Sequence, residues 1–290
     1  MSPSSSTVIQ RRRLRGELRQ ARQEAGLTQE HVAEQMDWSL SKIIRIETGS
    51  VGISTNDLTA LLRLYSIQDS DRIRWLVDLA REARQQSRWS RYRDSVPPAF
   101  FRYLEYEAAA AVVREYESFL IPGLLQTEEY AATVISEYKG NYSPKTIRAR
   151  VEIRMLRQQF IEQPNPRLHF ILDEAVVQRL MADKKVRGEQ LRKLVEMAAR
   201  PHVTIEILPF SAGLHRSLGE TFTILEFQDS ADEDVLYFEN ARDELLTHDE
   251  AEEVSLYREI FENLRSISLG PKKSLAYLKE VITEETPSSE

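Results

Sequence analysis

The stretch Thr28–Gly49, TQEHVAEQMDWSLSKIIRIETG, decides the reading of the chain. It divides into two short helices joined by a tight turn. The Thr28 hydroxyl can N-cap the first helix by accepting from an otherwise orphan backbone N–H. Val32, Ala33 and Met36 give that helix an apolar stripe. Asp37 and Trp38 interrupt it, and Asp37 is a residue type that tolerates the left-handed backbone such a turn needs. Ser39 can cap the second helix, and Gly49 stands where a helix commonly ends with positive φ.

The second helix is two-sided. At roughly 100° per residue, Ile43, Ile46 and Glu47 fall on one side. Ser41, Arg45 and Thr48 fall opposite, flanked by Lys42 and Ile44. Such a helix packs on one side and offers groups suited to the DNA major groove on the other. Arg can pair bidentately with guanine, Ser and Thr serve several acceptors, and Lys holds a phosphate. Periodicity alone fits any solvated amphipathic helix as well. The combination Arg22, Gly26, Leu27, Thr28, Gln29, Val32, Ala33, Ser39, Ile43, Arg45, Ile46, Glu47 and Gly49 resembles the helix-turn-helix of Cro/lambda-repressor-like (XRE) regulators. The resemblance implies a five-helix bundle that binds double-stranded DNA through Thr28, Gln29, Ser39, Leu40, Ser41, Lys42, Ile44, Arg45 and Thr48. It also implies an ion pair between Arg22 and Glu47, of structural purpose. Asp37, Leu40 and Ile44 depart from the Gly and small polar residues common in the wider family, which bears on the bases read.

Composition places limits on the rest. A chain of 290 residues has room for two domains, each with its own core. Hydrophobic content of 41% and charged content of 29% are globular values, and no apolar run nears the roughly 20 residues of a membrane span. The start, MSPSSSTVIQRRR, lacks the apolar run of a secretory signal. Cys is absent, which removes disulfides, thiolate nucleophiles and Cys-type metal sites. A cytoplasmic location is the expectation. The net charge of −7 divides unevenly: residues 1–93 hold 16 Lys and Arg against 11 Asp and Glu (+5), and residues 94–290 hold 23 against 35 (−12). Salt screens charges beyond about 8–10 Å, so the docking face matters more than the total.

In chain order, residues 1–10 read as a disordered tail. Arg11, Arg12, Arg13 and Arg15 open a first helix with Leu14, Leu18 and Ala21 as its stripe, and the cluster can be a solvated end or touch phosphate. Ser54 with Asp57 caps a helix over residues 55–65. Another begins near Asp71 and is expected to run through Trp89 to Tyr92 until Pro97–Pro98 stops it. Residues 11–85 thus form the DNA-binding domain and 86–104 a connector. The leucine stripes leave no spare apolar surface there. Thr127 caps a helix after the Pro122–Gly123 turn, and Ile147, Val151, Met155 and Phe160 mark the next. Beyond Pro166, LHFILDEAV, HVTIEILPF, TFTILEF and VLYFEN read as strands, among helices near residues 186–199, 249–266 and 271–282. Residues 105–283 are therefore expected to be an α+β domain with a small, mostly antiparallel sheet, before an acidic tail at 284–290. The whole is mainly α.

EYESFLIPGLLQTEEYA, EIRMLRQ, LDEAV, LPFSAGLH, TILEF and LYFEN resemble the C-terminal domain of actinomycete XRE-type regulators, as do Trp38, Lys42, Thr48 and Trp89. That resemblance implies a regulatory domain without assigned chemistry and a small partner protein encoded nearby. One recognition helix reads too few base pairs for a genome, so a homodimer on an inverted repeat is expected, held by residues beyond Pro98. The competing class is an antitoxin-like or adaptor protein that autoregulates its operon.

No catalytic, cofactor or metal site is expected. His31, His169, His202, His215 and His248 form no HExxH pattern, Ser211 near His215 lacks the GxSxG elbow, and no phosphate loop occurs. Gly213 and Gly219 are expected to serve a turn between strands. The acidic runs at 229–234 and 249–253 lack EF-hand spacing and read as solvated surface.

Overall fold

The computed structural model describes residues 7–138, 142–163, 165–180, 183–229, 232–239, 244–247 and 251–285. The chain forms two compact units, Met1–Ser90 and Arg91–Glu290. Unit 1 is five helices: α1 (Thr7–Glu24), α2 (Gln29–Gln35), α3 (Leu40–Glu47), α4 (Thr55–Leu64) and α5 (Ser70–Glu82). Its core gathers Leu14, Leu18, Val32, Ile43, Ile46, Leu58, Leu61, Leu62 and Leu76. Burial of each large aliphatic side chain is worth about 1.5–3 kcal/mol, and these stripes hold the bundle.

Three boundaries differ from the sequence expectation. First, α1 opens at Thr7, ahead of Arg11, because Val8 and Ile9 are buried and lengthen the apolar stripe. The remaining tail residues, 1–6, lie outside the described residues. Second, α5 ends at Glu82 and does not reach Tyr92. Arg11 of α1 donates to the carbonyls of Ala83 (2.8 Å) and Gln85 (3.1 Å), so a side chain satisfies groups that a longer helix would have bonded itself. Third, the diproline starts a helix. Pro98 takes the first position of α6 (Pro98–Glu107), where its missing N–H costs nothing. Trp75 on α5 is 43% exposed, an apolar surface the leucine count overlooked.

Unit 2 is built on a six-stranded sheet of order β3-β2-β1-β4-β5-β6. The strands are β1 (Val112–Glu117), β2 (Arg167–Asp173), β3 (Val203–Leu208), β4 (Phe222–Glu226), β5 (Val235–Glu239) and β6 (Glu244–Thr247). β1–β2 and β2–β3 are parallel, whereas β1–β4, β4–β5 and β5–β6 are antiparallel. The sheet is therefore mixed and larger than expected. Parallel neighbours need long crossovers. Here α7 (Glu128–Tyr138) and α8 (Pro144–Arg157) lie between β1 and β2 in the chain, and α9 (Glu174–Gln178) and α10 (Lys184–Ala198) between β2 and β3. Thr127 caps α7, its hydroxyl accepting from the Tyr130 N–H.

β1 is central yet carries no apolar alternation in sequence. Arg114, Glu115 and Glu117 occupy half of VVREYE. Arg114 finds Glu226 (2.9 Å) and Glu262 (3.0 Å), partners more than a hundred residues away. Along a strand, consecutive side chains point to opposite faces. Tyr116 joins the core formed with Phe222, Leu236, Val254, Phe261 and Leu264, the last three from α11 (Ala251–Ile267). Glu115 points the other way. α12 (Pro271–Glu285) closes the described chain, its buried Ser274 donating to the Leu269 carbonyl and accepting from the Ile207 N–H. Among the described residues no helix is long and apolar enough to cross a membrane.

Candidate nucleic-acid interface

The helix-turn-helix is set by its caps. The Thr28 hydroxyl accepts from the His31 N–H and that of Ser39 from the Lys42 N–H, each at 3.2 Å. Asp37 has φ of 53°, and the Trp38 N–H closes back onto the Ala33 carbonyl at 2.8 Å. A left-handed residue followed by such a closure ends one helix sharply and starts the next. α3 buries Ile43 and Ile46. Ser39, Leu40, Ser41, Ile44, Arg45 and Thr48 are exposed, as is Thr28 at the head of α2. Leu40 and Ile44 are 38% and 39% exposed, and apolar side chains so placed can meet thymine methyls.

A buried network fixes this helix. Glu47 accepts from Arg22 Nε at 2.6 Å and from Arg22 Nη2 at 3.0 Å, a bidentate pair. The two side chains are 11% and 5% exposed. Gln29 Nε2 donates to the same carboxylate at 2.8 Å, and Arg22 also donates to the Leu27 carbonyl. The bond to Glu47 raises the Arg22 pKa, against the opposing effect of burial. Burial, and next the Glu47 charge, raises that of Tyr65. α1, α2 and α3 are thereby joined at one carboxylate. The amide of Gln29 is thus partly engaged in structure, which the sequence expectation did not include.

Lys42 is held from two sides. Its Nζ lies 3.5 Å from the Trp38 ring centroid and 3.3 Å from Asp57. Both charges are more than one third exposed, so the ion pair itself contributes little. Its effect is to direct the ammonium. The sequence reading used Trp38 for the turn and Asp57 for a cap; their contacts with Lys42 escaped it because nothing in helical spacing links α4 to the turn.

The basic cluster at the start of α1 is more than a solvated end. Arg15 Nη1 donates to the Thr48 carbonyl at 2.8 Å, a cation at the C-terminus of α3. Gly49 has φ of 72°, and an added Cβ there would lie 2.5 Å from Arg15 Cδ. The backbone favours glycine at Gly49, and a Cβ there would push the Arg15 side chain from this contact.

The residues weighed for catalysis are placed by the fold of each unit. His31 heads α2. His169 sits 2.7 Å from Glu206, and His202 bonds the Ile161 carbonyl at 2.8 Å. Ser211 is exposed in a short 3-10 turn, Phe210–Ala212, and Gly213 and Gly219 both have positive φ in the loop that follows. Of the acidic runs, Asp234 is not solvated surface: it accepts from the Phe227 N–H and pairs with Arg258. His248 and Asp249 lie outside the described residues. Among the described residues no three His, Asp or Glu side chains are placed to hold a metal ion.

Comparison with known proteins agrees with this division. Residues 13–75 match the model of a helix-turn-helix domain, and residues 100–280 match that of a domain of unknown function (DUF5753). No curated protein and no solved structure matches the chain. The first match makes unit 1 a DNA-binding domain of a transcriptional regulator. The second spans more than half of the sequence, and the chain therefore belongs to the family defined by the domain of unknown function (DUF5753), carried behind a helix-turn-helix domain.

Proposed function

We propose that the protein is a cytoplasmic, sequence-specific transcriptional regulator of the XRE type. It binds an inverted repeat in double-stranded DNA as a homodimer, and its C-terminal domain dimerises and senses a ligand or a partner protein. The observation that carries the reading is the exposed face of α3, with Leu40, Ser41, Ile44, Arg45 and Thr48 outward, held by the Arg22–Glu47–Gln29 network. Ser41 and Arg45 read base edges. Lys42 and Gln29 position the helix on phosphates; one N–H of the Gln29 amide is bonded to Glu47, which leaves the other to donate to DNA. Thr28 and Ser39 hold the helix starts against the backbone. The role is binding, and no reaction is assigned.

Support for dimerisation beyond Pro98 comes from the loop after β3, where Phe210, Leu214 and Leu218 are 60%, 89% and 61% exposed. Apolar side chains grouped so openly suit a protein contact. The same loop favours a second reading, an adaptor that captures a small partner protein and autoregulates its operon. Native mass measurement on protein purified from its own host separates the two: a stoichiometric second polypeptide supports the adaptor, a homodimer the regulator.

Selection of bound duplexes from random DNA tests the function itself. The expected product is an inverted repeat with half-sites one helical turn, roughly 34–36 Å, or a multiple apart. Recovery of unrelated sequences would contradict a sequence-specific regulator. On the selected site, Lys42→Ala should weaken specific and random DNA alike and lower the slope of log affinity against log salt by about one. An unchanged slope places Lys42 away from phosphate.

A further inference from the structure

The face of the sheet toward which Glu115 points holds a cavity of about 50 Å³. Its walls come from β1, α6, α8, β4 and β5, all within unit 2. Glu107 of α6 is neutralised there: Arg157 Nε and Nη2 reach its two oxygens at 2.8 and 2.6 Å, and Tyr103 donates to it at 2.8 Å. Glu115, Glu117 and Glu239 also line the cavity, together with Arg154, which donates to the Gln126 side chain. Among the described lining residues carboxyl groups outnumber guanidinium groups.

Glu115 supplies a second, independent observation. It is 6% exposed and lines the cavity, and its Oε2 has no hydrogen-bond partner. More than nine in ten buried polar groups find one. Ionising such an oxygen without a partner is costly, so the carboxyl keeps its proton until a cation bonds it. Among the described residues no donor reaches this oxygen, which leaves it open to a ligand.

We propose that this cavity binds the head group of a small organic cation, an ammonium or a guanidinium, with Glu115 as its principal acceptor. Size favours a head group: the space exceeds the roughly 10–15 Å³ that holds one water and falls short of the roughly 150 Å³ that takes benzene. Charge favours a cation, and the donor set disfavours a metal, since no three ligating side chains converge among the described residues. Phe119, 47% exposed, is among the lining residues and supplies an aromatic side chain that an organic cation can contact. Burial, opposed by Arg157 and reinforced by Glu107 and Glu239, pushes the Glu115 carboxyl up to about 8. Burial, followed by Glu115, raises Glu117 in the same way. Glu115 is thus mostly protonated at neutral pH, and a cation that bonds it displaces that proton.

The regulatory meaning of this site rests on the sensory reading given above; binding itself is measured without DNA, so the two can fail separately. Isothermal titration of the full chain uses n-butylammonium and n-butylguanidinium, with n-butylurea as the neutral control and an Arg-containing peptide as a separate arm. The expected result is saturable 1:1 binding of at least one cation, none for the urea, and release of up to one proton, read from the dependence of the heat on buffer ionisation. Glu115→Gln should keep or raise Tm, because it replaces a buried acid by a neutral amide of similar shape. It should weaken binding at least ~10-fold and abolish proton release, as loss of one charged hydrogen bond implies. If that variant does not fold, Glu117→Gln is held to the same expectations. Absence of saturable binding by either cation, equal binding of n-butylurea, binding by the peptide alone, or undiminished binding in the folded variant each overturns the proposal.

Discussion

Glu47→Ala should destabilise the helix-turn-helix unit by about 3–5 kcal/mol, the cost of breaking a buried ion pair from one side. The magnitude follows from geometry. The Arg22 side chain is 11% exposed, and its Nε and Nη2 both end on Glu47. Removal of the carboxylate strands a guanidinium and takes the partner from the Gln29 amide. Hydrogen exchange on the full chain reads the effect locally, with protection of α1 and α3 amides falling ~10²-fold or more. The double change Arg22→Met with Glu47→Leu should recover most of the loss, since it leaves neither charge buried. A single-variant loss below ~1 kcal/mol would reduce the pair to a surface contact.

Much of this unit was legible in sequence because its causes are local. Thr28 and Ser39 cap, Asp37 turns, and the helical spacing of Ile43 and Ile46 sets the buried face of α3, all within a few residues of one another. The Arg22–Glu47 pair was accessible through family resemblance, not through periodicity. What escaped depends on distant partners. Arg11 and Arg15 read as a solvated helix end or a phosphate contact, but each finds a helix C-terminus that only the fold brings near. The strand β1 escaped for the same reason. Its charges meet Glu226 and Glu262 or enter the cavity with Arg154 and Arg157, so the alternation that marks a strand is hidden by residues whose burial is arranged elsewhere. The parallel pairing of β1, β2 and β3 was likewise invisible, because short apolar runs carry no sign of strand direction.

Cutting the chain after Ser90 should lower affinity for the full inverted repeat by ~10²–10⁴-fold while leaving a folded monomer that binds a half-site weakly. Unit 1 has its own core, from Leu18 through Leu76, so the fragment keeps the reading helix. What it loses is the link between two copies. Joining two binding modules makes the second contact intramolecular, which raises overall affinity by that range without any new contact. Solution mass and titration on whole and half operators check both parts. A fragment that still dimerises with undiminished affinity would place the interface in unit 1, where the exposed Trp75 becomes the first residue to replace.

The central claim is that the outward face of α3 reads base sequence. Arg45 tests it most directly, because it is exposed on that face and lies outside the Glu47 network. Affinities of wild type and Arg45→Ala are compared at one salt concentration on the selected operator, on operators altered at single base pairs, and on random duplex. The expected result is a loss of about 1–3 kcal/mol on the operator, little loss on random DNA, and relaxed preference at one base pair per half-site. An equal loss on operator and random DNA would contradict base reading by α3 and reduce Arg45 to a phosphate contact.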